Sequence, residues 1–207
     1  MAPPRLIIVS GFTAAGKTTH ARLLATALGW RYIGMSQIRS LCVPGSATER
    51  EEWVEGGDVR RAANISLDLE MDHRLKDHID RLEIPVVVDA WLQPWLCELS
   101  NATRVWLGSD FDSRVLKARV SRLRSGLGPS PSIDATIAQK DDFSIAHFRR
   151  VYGVDFGPDP TVFDLLLDNT GYIAEATIRS SDDGINRFAA VFNARVSALV
   201  EARPHVG

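Results

Sequence analysis

The sequence predicts a single α/β domain, a three-layer sandwich in which a five-stranded parallel sheet is covered by helices on both faces. Short apolar runs alternate with helical segments along the 207 residues, which is typical of a mostly parallel sheet. The first apolar run, Leu6-Ile7-Ile8-Val9, leads through a glycine-containing turn directly into a helix. A chain of this length suits one domain with a substantial core and is short for two.

The predicted elements follow from apolar spacing and from stop signals. In the first helix, Ala21, Leu24, Ala25 and Leu28 recur at helical spacing, and Gly29 follows as a stop signal. Strands are predicted at residues 6–10, 30–34, 85–89, 103–107 and 162–167. Helices are predicted at residues 17–28, 59–82, 112–124, 133–152 and 184–202, with a helical turn at 36–41. Residues 42–57 contain Pro and Gly breakers and are predicted to be irregular.

Composition narrows the class of partner. The formal net charge of -2 argues against a nucleic acid polymer or a membrane surface, because proteins that bind either usually carry a basic excess. No apolar run is long enough for a transmembrane helix, and residues 1–5 lack the ordered regions of a signal peptide. Cys42 and Cys97 alone provide neither a disulfide framework nor metal-ligand spacing. We therefore expect a cytoplasmic protein, a monomer or weak homodimer, that acts on a small molecule.

Residues 11–19 fit the phosphate-binding pattern G-x-x-x-x-G-K-[ST] between a buried strand and a helix. Glycines there allow backbone N–H groups to converge on phosphate oxygens at a helix N-terminus. Lys17 is expected to reach the β- and γ-phosphates, and the Thr18 hydroxyl to bind Mg²⁺. The motif predicts that a nucleoside triphosphate and Mg²⁺ are bound by Gly11, Phe12, Thr13, Ala14, Ala15, Gly16, Lys17, Thr18 and Thr19.

Asp89 ends the strand predicted at 85–89, so a parallel sheet would deliver its carboxylate to the edge beside the motif. We predict that it orients Mg²⁺ or accepts a proton from an acceptor hydroxyl. A role as a strand-end cap is the alternative. Residues 125–131 contain two Gly and two Pro between basic residues. They are interpreted as a lid that excludes water from the reacting phosphate, with a plain surface connection as the alternative.

Basic residues cluster along the helix predicted at 112–124, and their spacing places them on different faces, so that not all can point inward. The cluster comprises Arg114, Lys117, Arg119, Arg122 and Arg124. Arg119 and Arg122 are the two selected beside the predicted lid, and a guanidinium suits the oxygens of a transferring phosphoryl group. We predict a catalytic role for these two together with Lys17 and Asp89. A solvated helix face is the alternative.

Three segments resemble a known family. Residues 68–72 read DLEMD, residues 149–155 read RRVYGVD and residues 162–170 read VFDLLLDNT. They are similar to the D-x-x-L-D, R-Y-x-x-x-Y-G-I-D and Y-D-L-V-I-N-T sequences of archaeal-type cytidylate kinases, within the P-loop nucleoside monophosphate kinase superfamily. The resemblance runs from residue 6 to about residue 170.

The resemblance implies a P-loop kinase fold with its core at residues 5–35, 85–119 and 160–203. It also implies an acceptor-binding helical insert at about 36–84 and a lid region at about 120–150. The implied cofactors are ATP and Mg²⁺. The implied acceptor is a pyrimidine monophosphate such as CMP or dCMP.

Departures from the family pattern fall on the acceptor side. Trp91 stands where the family's E-G-R-L carries arginine, while Lys140 and His147 replace two further arginines. Lysine keeps the charge but lacks the planar fork of arginine, and histidine is cationic only near or below its usual pKa. The residues predicted to contact the acceptor are Arg39, Asp58, Asp72, Trp91, Lys140 and His147.

Two other functions remain open from the sequence. The substituted arginines favour a kinase for a non-nucleotide acceptor, such as a metabolite or an antibiotic. A nucleotide-binding regulatory module with little transfer activity is the second alternative. A panel of acceptors with detection of ADP would decide the first. Tight ATP binding without product from any acceptor, and turnover unchanged on mutating Lys17, would indicate the second.

Overall fold

A computed structural model of the chain describes residues 6–34, 65–81, 83–98 and 102–202. Its strands are β1 (Leu6–Ser10), β2 (Arg31–Gly34), β3 (Val86–Asp89), β4 (Ala102–Gly108) and β5 (Leu165–Asp168). Its helices are α1 (Lys17–Leu28), α2 (Ile65–Asp80), α3 (Gln93–Leu96), α4 (Phe111–Arg124), α5 (Ile133–Tyr152) and α6 (Ile178–Ala202). The helical turn predicted at 36–41, the irregular segment 42–57 and the start of the helix predicted at 59–82 lie outside the described residues.

The described strands form one parallel sheet in the order β2-β3-β1-β4-β5. The five-stranded parallel sheet predicted from the sequence is therefore confirmed. β1 lies in the middle, where Val9 is in register with Asp89 of β3 on one side and Val105 of β4 on the other. Because all strands run in the same direction, their carboxyl ends meet at one edge of the sheet, where ligands bind in open α/β folds.

The alternating side chains of β1 show the three layers. Ile7 and Val9 pack on one face with Leu24 of α1 and with Phe188 and Phe192 of α6. On the opposite face, Leu6 and Ile8 pack in a second cluster with Leu75 and Ile79 of α2. The strand is buried at every position, as expected for a central strand covered on both sides.

Two boundaries differ from the predicted ones. The last strand was expected at 162–167, but β5 begins at Leu165, because the amides of Val162 and Phe163 donate to the Asp159 carbonyl in a turn. The last helix was expected at 184–202, but α6 begins at Ile178. Gly184 lies inside it, and a Cβ there would approach the Tyr172 carbonyl oxygen to 2.4 Å. This glycine serves close packing and does not mark the start of the helix.

Among the described residues, no helix is both long enough and apolar enough to cross a membrane. The proposed limits of the insert and of the lid region stay predictions, since α2 alone represents the insert among the described residues.

Candidate active site

The phosphate-binding motif forms the turn between β1 and α1, at the carboxyl edge of the sheet. Its first glycine allows the turn to pass close to β4, since a Cβ on Gly11 would lie 2.3 Å from the Leu107 carbonyl oxygen. Ala14 and Gly16 adopt positive φ values of 60° and 94°, the left-handed conformation that concave anion-binding loops use. We call residues 11–19 the P-loop.

A buried ion pair between α4 and α5 contacts the backbone of the P-loop. Arg114 of α4 and Asp141 of α5 are paired, and both side chains are almost completely buried. The Thr13 amide donates to Asp141 Oδ1 at 3.1 Å, and Arg114 Nη1 donates to the Thr13 carbonyl oxygen at 3.2 Å. The Thr13 amide was predicted to bind phosphate, but in the structure it donates its hydrogen bond to Asp141. The Thr13 backbone therefore links the loop to α4 and to α5, and α5 lies largely within the predicted lid region.

The P-loop lysine lies next to Trp91. Lys17 Nζ donates to the Phe12 carbonyl oxygen at 2.9 Å and lies 5.6 Å from the centre of the Trp91 ring. The Ser10 hydroxyl donates to the Trp91 carbonyl oxygen at 2.8 Å, which fixes the backbone that carries the ring. Trp91 is half-buried and lies beside Phe148. The structure thus places Trp91, one of the predicted acceptor residues, next to the P-loop lysine.

Asp89 and Thr18 meet at the carboxyl edge of the sheet. The Thr18 hydroxyl donates to Asp89 Oδ2, and the Tyr32 hydroxyl reaches the same oxygen at 3.4 Å. Burial raises the pKa of Asp89 above its usual range, while Lys17 and the two hydroxyl contacts act in the opposite direction. The carboxylate is therefore costly to keep charged in this position unless a cation compensates it.

The Thr18 and Asp89 oxygens fit Mg²⁺, which prefers hard oxygen ligands and usually takes only one or two protein groups beside phosphate and water. The part of the chain that the structure describes contains no group of three or more His, Cys, Asp or Glu side chains suited to a metal. A site made of one hydroxyl and one carboxylate is thus the kind that a nucleotide-bound ion would use.

The two arginines predicted to be catalytic lie farther along α4. Arg119 is exposed. Arg122 Nε donates to the Gly128 carbonyl oxygen at 3.0 Å, so this side chain braces the loop that follows α4. On the same helix, Arg114 is the arginine that contacts the P-loop, and sequence reasoning passed over it. Asp141 was missed as well, although it lies beside Lys140, which was selected.

The remaining predicted acceptor residues fall in different environments. Asp72 Oδ2 accepts a hydrogen bond of 2.6 Å from the Tyr152 hydroxyl, so the Asp72 carboxylate links α2 to α5. Lys140 is half-buried on α5. His147 is 2% exposed, with its ring stacked on Phe143, and the structure therefore places it in the interior and not on an open acceptor surface. Arg39 and Asp58 lie outside the described residues.

The backbone of the P-loop is also held at Ala15. Asn169 Nδ2, immediately after β5, donates to the Ala15 carbonyl oxygen at 2.8 Å. The Phe12 ring packs edge-on against Trp106 and Phe156, so this motif residue contributes to the aromatic core beneath the loop. Asn169 was noted in the sequence only as part of the VFDLLLDNT segment.

Comparison with curated proteins identifies the family. The chain is 30% identical over 183 residues to the cytidylate kinase of Aeropyrum pernix, a match that covers 87% of this chain and 98% of the relative. The chain belongs to the cytidylate kinase family. A second family member, the cytidylate kinase of Staphylothermus marinus, is 25% identical over 185 residues, covering 88% of this chain and 97% of that enzyme. The resemblance inferred from the sequence is confirmed, although no protein-family model matches the chain.

Solved structures agree on the fold. A protein from Eubacterium ventriosum superposes with a TM-score of 0.63 at 10% identity, covering 96% of this chain and 99% of that one. TT1252 from Thermus thermophilus gives a TM-score of 0.51 at 17% identity, covering 98% and 100%. The fold is that of an α/β P-loop kinase. With the family membership, the protein is an ATP-dependent phosphotransferase, which argues against the regulatory-module alternative.

Proposed function

We propose that the protein transfers the γ-phosphoryl group of Mg²⁺·ATP to a pyrimidine nucleoside monophosphate, CMP or dCMP, and forms the diphosphate. The observation that carries the proposal is the 30% identity to a cytidylate kinase over 98% of that enzyme. The Thr18–Asp89 pair at the mouth of the P-loop supports the donor half of the reaction.

Three groups of residues have separate roles in the proposed reaction. Lys17 and the P-loop amides other than that of Thr13 bind the phosphates and offset their charge. Thr18 and Asp89 would hold Mg²⁺, which neutralises charge on the β- and γ-phosphates when bound. The buried aromatic cluster around Phe12 and Trp91 gives the site an apolar wall, and such a wall excludes water that would otherwise compete with the acceptor.

A panel of acceptors tests the proposal. ADP formation from ATP is measured with CMP, dCMP, UMP and AMP, and with non-nucleotide hydroxyl compounds at the same concentrations. We expect kcat/KM for CMP or dCMP to exceed the other values by at least about tenfold, and Lys17→Met to abolish the signal. If a non-nucleotide acceptor gives the highest kcat/KM, the proposed acceptor is wrong, while the phosphotransferase activity stands.

Trp91 favours a second candidate, a kinase for a non-nucleotide acceptor. A neutral ring, fixed through the Ser10 contact and placed 5.6 Å from Lys17 Nζ, cannot pair with an acceptor phosphate as an arginine would. For a CMP kinase, Trp91→Arg should raise kcat/KM for CMP. If this variant loses activity towards every nucleotide while Trp91→Phe keeps activity towards a non-nucleotide compound, the second candidate is favoured.

We also propose that the protein acts in the cytoplasm as a monomer or weak homodimer, without nucleic acid polymers or membranes as partners. The net charge of -2 and the presence of only two cysteines support this setting. Light scattering at micromolar concentration measures the oligomeric state.

A further inference from the structure

A lysine on α4 contacts the ends of two neighbouring strands. Lys117 Nζ donates to the Ser109 hydroxyl at 2.7 Å, just after β4, and to Asn169 Oδ1, just after β5. The Lys117 side chain is half-buried, and it belongs neither to the P-loop motif nor to the Thr18–Asp89 contact. A charged group in this position loses hydration and therefore needs strong hydrogen-bond partners.

The Asn169 amide has a defined orientation because its two neighbours differ in hydrogen-bonding type. An ammonium can only donate, so Asn169 Oδ1 faces Lys117, whereas the Ala15 carbonyl can only accept, so Nδ2 faces the P-loop at 2.8 Å. Asn169 is 2% exposed, and its own backbone amide donates to the Gly108 carbonyl oxygen at 3.0 Å. Lys117, Asn169 and Ala15 thus form a hydrogen-bonded relay from α4 to the loop.

The relay has a consequence for the next peptide group. The Ala15 carbonyl and the Gly16 N–H belong to one planar peptide and, in a trans peptide, point in opposite directions. Holding the carbonyl towards Asn169 therefore turns the Gly16 N–H away from Asn169. Gly16 immediately precedes α1 and has a φ of 94°, so this N–H belongs to the set at the helix N-terminus that binds anions.

We propose that Lys117 is a positioning residue for the triphosphate, which acts through Asn169 to aim the Gly16 N–H at a bound phosphate oxygen. Its ammonium also adds a positive charge behind the P-loop. The inference rests on ATP being the donor and does not depend on which acceptor is used. Lys117 acts through the relay and through its charge, and not on the reacting atoms, so its loss should weaken ATP binding in the ground state and the transition state alike.

The ionisation of Lys117 provides a readout. Burial lowers the pKa of this lysine to about 8, while Asp168 and Asp110 oppose the shift and Arg114 adds to it. His20 of α1 lies near Lys117. Burial and the Lys117 charge lower the pKa of His20 to about 4, so this side chain is neutral at mildly alkaline pH. Ordinary carboxylates, guanidinium groups and phosphates do not titrate between pH 7.5 and 9. In this interval the ammonium is lost as the pH rises.

The experiment measures binding of Mg²⁺·AMP-PNP, a non-hydrolysable ATP analogue, by calorimetry between pH 7 and 9.5 without acceptor. For the wild type we expect Kd to rise as the pH passes about 8. For Lys117→Met, Kd should be about tenfold higher at pH 7 and should change little with pH. Because uniform binding is lost, KM for ATP should rise by a similar factor while kcat changes by less than about twofold.

Two further variants serve as a charge control and as an independent test of the relay. Arg195→Met removes an exposed positive charge from α6 and should follow the wild-type curve. Asn169→Asp keeps the size of the side chain but places a carboxylate oxygen against the Ala15 carbonyl, so it should weaken binding although Lys117 is intact. Circular dichroism establishes that each variant is folded.

Three results would overturn the inference: a Lys117→Met variant that binds the analogue within about twofold of wild type, a loss of kcat without a change of KM, or a pH dependence that persists in the variant. A panel without CMP activity, by contrast, would overturn only the proposed acceptor. The binding curves would still support the role of Lys117.

Discussion

Asp89 lies where the folded core meets the proposed active site: burial raises the pKa of its carboxyl, and its oxygen contacts Thr18. Asp89→Asn keeps the size and an acceptor oxygen but removes the charge that Mg²⁺ would use. We expect kcat to fall on the order of a hundredfold, with AMP-PNP affinity changed far less. Steady-state kinetics measure the first effect and calorimetry the second. Asp183→Asn, on an exposed part of α6, is the control. Near-normal turnover in Asp89→Asn would remove Asp89 from the mechanism.

Gly11 is a residue whose lack of a side chain has a clear structural reason. A Cβ at this position would lie 2.3 Å from a backbone oxygen of β4, which cannot move without disturbing the sheet. Gly11→Ala should therefore shift the P-loop, lower the free energy of unfolding by about 1–3 kcal/mol and weaken ATP binding. Gly157→Ala is the matched control, because a Cβ there has no neighbour within 4 Å. Urea unfolding and calorimetry provide the measurements; equal behaviour of the two variants would contradict the close-approach argument.

At the scale of elements, the Arg114–Asp141 pair joins α4, α5 and the P-loop. Asp141→Asn leaves an oxygen for the Thr13 amide but leaves Arg114 as a buried charge without its counter-ion. Losing one member of a buried pair costs about 3–5 kcal/mol, whereas an exposed pair contributes about 1 kcal/mol or less. The exposed Arg149–Asp155 pair, with side chains 70% and 79% exposed, supplies the control variant Asp155→Asn.

Urea unfolding of Asp141→Asn and Asp155→Asn at the same pH compares the two pairs directly. We expect the free energy of unfolding to fall by about 3 kcal/mol in the first and by under about 1 kcal/mol in the second. Similar losses in both variants would show that the buried pair does not hold these elements together. The Arg114–Asp141 ion pair would then contribute no more to stability than an exposed pair does.

The same elements show what the sequence could predict. Apolar spacing located every described strand, and α5 was predicted with the bounds Ile133–Tyr152, because these signals are local. Arg119 and Arg122 were selected over Arg114 for their position beside the predicted lid, whereas contact with the P-loop depends on which face of α4 meets the loop. That orientation is set by packing of Val115 and Ala118 against Ile133 and Ile137, contacts between helices that a single helix does not reveal.

His147 illustrates the same limit for α5. Its place in the family pattern suggested an acceptor-binding cation, but helix docking turns the ring into an aromatic interior beside Phe143 and Phe148. Likewise, the Lys117–Asn169 contact joins positions 52 residues apart, and only the pairing of β4 with β5 brings them together.

On the scale of the whole molecule, the parallel sheet gathers the carboxyl ends of β1, β3, β4 and β5 around the P-loop. Asp89 is the last residue of β3, while Ser109 and Asn169, the two partners of Lys117, directly follow β4 and β5. Asp89 and the relay from Lys117 therefore reach the loop from opposite sides of the central strand. The strand order β2-β3-β1-β4-β5 is what makes this arrangement possible.

This arrangement predicts a pH dependence of the stability of the whole fold. The pKa of Lys117 is about 8 in the folded protein, against 10.5 for an unperturbed lysine. Between these values the unfolded chain binds more protons than the folded one, so this group makes the fold more stable as the pH rises. The free energy of unfolding of wild type minus that of Lys117→Met should be constant below about pH 7 and should increase between pH 8 and 10, with a slope approaching about 1.4 kcal/mol per pH unit.

Urea unfolding of both proteins at pH 7, 8, 9 and 10 measures this difference, and the subtraction removes groups that titrate equally in both. A difference that stays constant with pH would mean that Lys117 keeps an ordinary pKa in the fold, and a difference that falls would mean that its pKa is raised; either result contradicts the prediction. With the expected sign, the ammonium that helps to hold ATP near neutral pH is also a cost to folding at that pH. Selection for phosphate binding at the P-loop would then explain why a charged group is kept partly buried behind it.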